Sequence, residues 1–84
     1  MLYSERMQDS VRISREQIDK TTFAIASLDA KQRHAVRETL YRLHDKTDGV
    51  LYRKSCHHAL VKLWESGAIS EREFHAVESA VFSG

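Results

Sequence analysis

Cys56, His57 and His58 stand side by side in an 84-residue chain that also carries His34, His44 and His75. Thiolate and imidazole are the usual zinc ligands, so a metal site is the first chemistry these residue types suggest. The spacing opposes it. Adjacent positions on a helix point about 100° apart, so 56, 57 and 58 do not converge on one ion, and the chain has no second cysteine and no H-x-x-x-H pair. His34 and His44 lie too far apart along one helix to share a metal. Cys56 as a nucleophile would need a base within hydrogen-bond reach, and His57 next to it points elsewhere. The stretch Asp45-Lys46-Thr47-Asp48-Gly49 has the outline of a calcium loop, but with Gly49 at loop position six the ligand positions one, three and twelve fall on His44, Lys46 and Ser55. No metal, cofactor or catalytic residue is expected, and Cys56 reads as a small buried apolar group.

Charge is the next signal. The chain holds 13 Lys and Arg against 12 Asp and Glu, a balance that argues against global attraction to phosphate. Its distribution is uneven: residues 31–62 contain Lys31, Arg33, Arg37, Arg42, Lys46, Arg53, Lys54 and Lys62 against Glu38, Asp45 and Asp48. On a helical wheel Arg33, Arg37, Tyr41 and His44 form one stripe, and Tyr52, Arg53 and Lys54 could extend it. These seven residues are the candidate partner-binding set. The blander reading is a solvated face whose aliphatic stems cover apolar edges. A helix-turn-helix at Gly67 would put Lys62 and Glu73 where apolar packing residues are needed, and Glu71, Glu73 and Glu78 on the reading helix would repel DNA.

The elements that must position these groups are helices. Proline is absent and glycine occurs only at 49, 67 and 84, leaving few of the residues that punctuate strands and loops. Ser14 with Gln17 and Asp29 with Gln32 have capping-box spacing, which predicts helices over about 15–26 and 30–45, the second stopped by Gly49 in a left-handed conformation. Cys56, Ala59, Leu60, Leu63 and Trp64 recur at helical spacing and predict a third helix over about 53–66, with Trp64 as the main core aromatic. Gly67 closes that helix. Ser70 with Glu73 starts a fourth over about 71–82, Ile69 and Phe74 match a hydrophobic staple, Phe74, Val77 and Val81 face the core, and Glu71, Glu73 and Glu78 face water. The stretch from Leu60 to Phe74 resembles the short helical hairpins at the C-termini of many bacterial proteins, a likeness that the capping rules alone produce. The expected fold is all-α, a small bundle of three to four short helices ending in a tight helical hairpin. Residues 14–84 form its single domain, and residues 1–13 are an N-terminal segment that either continues the first helix or stays mobile.

A chain this short hides only roughly 60–65% of its unfolded surface. Leu2, Tyr3, Met7, Val11 and Ile13, with Val50, Leu51 and Tyr52, look surplus to so small a core and suit an interface. One cysteine and no continuous apolar run near the N-terminus point to a soluble protein of the reducing cytoplasm, off the membrane. The functional expectation is therefore a small cytoplasmic adaptor, regulator or inhibitor of bacterial or phage type, not an enzyme, acting through a protein partner or as a homodimer. The alternative is a nucleic-acid-associated protein using the basic stripe and residues 52–54.

Overall fold

The computed structural model describes residues 9–82. Four helices, α1 (Arg15–Ala24), α2 (Ala30–Lys46), α3 (Arg53–Glu65) and α4 (Glu71–Phe82), account for 70% of them, and two three-residue strands, β1 (Ser10–Arg12) and β2 (Val50–Tyr52), complete the fold. The helices alternate in direction. Each packs on the next in the chain, and α4 returns to α1 to close the ring. One end of the bundle holds the α1–α2 and α3–α4 turns; the sheet closes the other, with β1 against α4 and β2 against α2 and α3.

The helix boundaries follow from local chemistry. Ser14 accepts from the Gln17 amide and Gln17 returns a bond to the Ser14 N–H; Asp29 and Gln32 do the same for α2. At the end of α3 the Ala68 N–H donates to the Leu63 carbonyl at 2.9 Å and the Gly67 N–H to Trp64 at 3.0 Å, with Gly67 at φ +85°. This is a Schellman closure that needs a residue tolerant of the left-handed region. α2 ends similarly, its Gly49 N–H donating to His44 at 2.8 Å, but there Asp48 (φ 57°) enters the left-handed region as well as Gly49.

Residues 10–12 are strand, neither a helical continuation nor a loose tail. They pair antiparallel with β2 in the register Ser10 to Tyr52, Val11 to Leu51 and Arg12 to Val50. Bonds from Ile13 to Gly49 (3.0 Å) and from Arg53 to Asp9 (2.7 Å) lengthen the ladder at both ends. Val11, Arg12 and Ile13 alternate apolar and polar, and Val50, Leu51 and Tyr52 are β-formers behind a left-handed turn, so each segment suits a pleat once the other is beside it. Pairing also uses most of the apolar surplus. Leu51 is fully buried, Val11 and Ile13 pack against the core, and only Tyr52 remains exposed. Leu2, Tyr3 and Met7 lie outside the described residues.

The core joins Ile18 of α1, Val36 and Leu40 of α2, Cys56 and Leu60 of α3, and Phe74, Val77 and Phe82 of α4. Two expectations are corrected here. Trp64 is 38% exposed on the shoulder of α3 and stacks on Phe74 with ring centres 5.5 Å apart; the core aromatics are Phe74 and Phe82. Glu73, expected to face water, is only 8% exposed. Its Oε1 accepts from the Ser70 N–H at 2.9 Å and from Gln32 Nε2, also at 2.9 Å. Burial of a carboxyl is tolerable because both donors are held in place.

Gln32 thus serves the cap of α2 with its oxygen and the cap of α4 with its nitrogen. Replacing Glu73 by Ala should cost about 2 kcal/mol, the sum of a lost cap and a lost buried hydrogen bond. A double-mutant cycle of Gln32→Ala with Glu73→Ala, read by denaturant unfolding, should return a coupling of about 0.5–3 kcal/mol; additive losses would show that the two caps act separately.

Candidate interaction surface

The seven candidate residues divide between two places. Arg33, Arg37, Tyr41 and His44 lie along the α1–α2 seam, where their contacts are internal. Arg33 Nη2 donates to the Leu28 carbonyl at 2.8 Å, and its guanidinium lies 5.1 Å from the centre of the Phe23 ring. Asp19 of α1 accepts the Tyr41 hydroxyl and lies 3.9 Å from Arg37 Nε. Arg15 sits over the Tyr41 ring at 4.4 Å and pairs with Asp45, which His44 Nδ1 also meets at 2.9 Å. Acids and bases alternate down the seam. The Arg15 hydrogen bond, then that from His44, hold the Asp45 carboxyl below the usual carboxylate range, and the bond to Asp45 raises the Arg15 pKa in turn. The bond to Asp19 pushes the Tyr41 phenol upward. Arg15 and Asp45 are open to solvent and Tyr41 is only half-buried, so these pairs orient α1 on α2 more than they stabilise the fold.

Tyr52, Arg53 and Lys54 stand at the other place, where β2 runs directly into α3. Tyr52 is both the last strand residue and the helix N-cap, and its side chain makes no capping bond. No acidic residue occupies the first turn of α3, which instead begins Arg53-Lys54. Cations at the positive end of a helix dipole are mildly unfavourable. Arg53 is partly anchored, its guanidinium 5.6 Å from the centre of the Phe82 ring. Together with Asp9, His57 and Glu78, these residues line an open cleft of about 730 Å³. His57 Nδ1 and Glu78 Oε2 pair across it at 2.9 Å.

Lys54 also lines a second depression of about 550 Å³, the groove between α2 and α3. Arg42 and Leu43 form one wall; Lys54, Ser55, His58, Ala59 and Lys62 form the other. No acidic side chain lines it. Among the described residues none of Arg42, Lys54, His58 and Lys62 has an ion-pair partner. Part of this groove is visible in sequence, since Lys54, His58 and Lys62 recur every fourth residue and must share a helix face. That Arg42 lies opposite them depends on how α2 and α3 pack.

Cys56 of α3 is fully buried in the core, and burial, followed by the nearby Glu78 charge, pushes its thiol up to about 12. Among the described residues no group of three His, Cys, Asp or Glu side chains gathers where a metal could bind, and no helix is long and apolar enough to cross a membrane. The chain matches no protein-family model, no curated protein and no solved structure.

Two outcomes check this description. A carboxyl whose folded pKa is depressed stabilises above its unfolded pKa and loses that contribution as pH falls through the folded value. The thermal midpoint of the wild type should therefore exceed that of Asp45→Asn at neutral pH, and the two should converge well below pH ~4. Cys56 in the native protein should react with a thiol reagent far more slowly than after unfolding, because burial both shields the sulfur and disfavours the reactive thiolate.

Proposed function

We propose that this protein acts by binding a partner and not by catalysis, and that the partner is negatively charged where it enters the α2–α3 groove. One observation carries the reading: three cations from two helices, Arg42, Lys54 and Lys62, converge with His58 on one groove with no acid lining it and no ion-pair partner among the described residues. In a chain with 13 basic and 12 acidic residues, such a gathering is not a by-product of composition. Like charges brought together repel, and a folded protein carries such a local conflict most often where function requires it. The buried neutral thiol of Cys56 supports the non-catalytic part, because the thiolate is the reactive form.

A second reading keeps the adaptor, regulator or inhibitor that meets a protein partner or a second copy of itself. Phe23 favours it: the ring is 73% exposed at the end of α1, under the Arg33 guanidinium. Aromatic and arginine side chains are the types that concentrate binding energy at interfaces. This surface lies at the opposite end of the bundle from β2, so the two readings concern different faces. A reducing cytoplasm is the setting we propose for either, in keeping with a single free cysteine.

The test is retention on an immobilised phosphate polymer, eluted with a salt gradient. Wild type should be retained although its net charge is only +1. The groove variant Lys54→Glu/Lys62→Glu should elute at much lower salt, while Lys20→Glu/Lys31→Glu, with the same change in net charge but outside the groove, should elute between the two. If the two double variants elute together, retention reflects net charge alone and the groove reading fails.

A further inference from the structure

We propose that the α2–α3 groove and the adjoining cleft together hold a single-stranded nucleic acid, its phosphates on Arg42, Lys54 and Lys62 and one base on the ring of Tyr52. The inference rests on the anionic-partner reading above and names that partner.

The two depressions meet at Lys54 and differ in chemistry. The groove is lined by the cations Arg42, Lys54 and Lys62, by His58 and Ser55, and by two small apolar contributions from Leu43 and Ala59. It suits a chain that presents negative charge at every unit. Along α3, Lys54, His58 and Lys62 succeed one another about 6 Å apart, from 1.5 Å of rise per residue. Arg42 supplies charge from the facing wall. A backbone lying here is contacted from both sides.

The cleft is mixed. Arg53 supplies N–H donors, Asp9 supplies a carboxylate acceptor, Glu78 offers the lone pairs left beside its pairing with His57, and Tyr52 supplies a ring that is 47% exposed. A phosphate would meet repulsion from Asp9 and Glu78 there. A base, uncharged and bearing both donors and acceptors on its edges, would not. A positive groove that follows the backbone, with an aromatic ring at its end for stacking, is the arrangement by which proteins take single strands.

The shape disfavours the two other polyanions. A duplex is read by an element that protrudes into a groove about 12 Å wide, whereas this cationic surface is recessed between packed helices. An extended acidic peptide finds main-chain partners at a sheet edge, and no strand lines this groove; beyond the first-turn N–H groups of α3 at Lys54 and Ser55, the backbone groups of both walls are paired within their helices. Side chains therefore supply most of the contacts, which favours a partner whose charge lies on its own backbone.

The experiment is fluorescence anisotropy of the full chain with a labelled oligothymidylate of about eight nucleotides, within the usual footprint of such sites. The same sequence annealed to its complement and unlabelled poly-glutamate serve as competitors. Binding should weaken with salt at a log–log slope of roughly −2 to −3, as expected for three or four phosphates on a single strand. The duplex and poly-glutamate should each compete at least about tenfold less well than unlabelled strand. Tyr52→Leu should weaken binding about tenfold or more, while Tyr52→Phe, which keeps the ring, should not. Should Tyr52→Leu fail to fold by circular dichroism, photo-crosslinking of wild type to a bromouracil-containing strand decides instead, with the adduct expected on Tyr52. Equal competition by poly-glutamate, tighter binding of the duplex, an unchanged affinity in folded Tyr52→Leu, or a crosslink elsewhere would each overturn the single-strand assignment. Each would leave the anionic-groove reading standing, provided that the phosphate polymer still retains the protein. Failure to bind both the strand and the polymer sinks the two together.

Discussion

The bond between Gln32 and Glu73 joins two helix starts that are 41 residues apart in the chain. Each side chain already closes a local capping box, so neither is recruited at the expense of its own helix. A capping glutamate is ordinarily a surface residue. Here the approach of α2 buries it, and the amide of Gln32 supplies the donor that makes burial tolerable. Because both caps share one bond, the starts of α2 and α4 are held at a fixed separation, and the Phe74 ring beside Glu73 is directed into the core. The aromatic group around Phe74 follows from that placement, with His57 edge-on at 5.3 Å and Trp64 stacked above.

The opposite end depends on a different device. Two strands of three residues would not persist alone, since an isolated two-stranded ribbon is marginal in water. They persist here because Leu51 is driven into the core and the helices cover the inner face of the sheet. The sheet also sets where α3 begins. Tyr52 ends β2 and caps α3 in one residue, and the Arg53 N–H that would otherwise be an unpaired helix donor is taken by Asp9 across the ladder. The basic first turn of α3 and the exposed ring of Tyr52 are therefore placed by strand pairing, not by any capping signal in their own segment.

Charge is sorted in the same way. The chain as a whole holds nearly equal numbers of bases and acids, although its middle is basic. In the fold, Asp19 and Asp45 are drawn into the α1–α2 seam by Arg15, Arg37 and Tyr41. The far side of α2 and the adjoining face of α3 keep their cations without neutralisation by these acids. One helix thus carries a basic edge paired with α1 and, at Arg42, a basic edge with no ion-pair partner among the described residues.

Local rules sufficed for the helices. The spacing of Ser14 and Gln17, Asp29 and Gln32, and Ser70 and Glu73 marks the starts of α1, α2 and α4, because a cap is made by atoms three or four positions apart; α3 is marked by its apolar periodicity and by Gly67 as a left-handed stop. Cys56 as a buried apolar group was legible for the same reason, from its place on the helical stripe. Residues 10–12 and 50–52 were not, since each segment is too short to declare itself as a strand and becomes one only beside the other. Trp64 and Glu73 exchanged their expected environments because a helical wheel states which residues share a face, not how far a neighbouring helix overlaps it. The candidate surface divides along the same line. The periodicity of Lys54, His58 and Lys62 belongs to the sequence, whereas the internal pairing of Arg37 and Tyr41 with Asp19, and the position of Arg42 across the groove, were decided by helix packing. Interactions within one helical turn can be read from order along the chain. Interactions between turns that are tens of residues apart exist only after the core has brought them together.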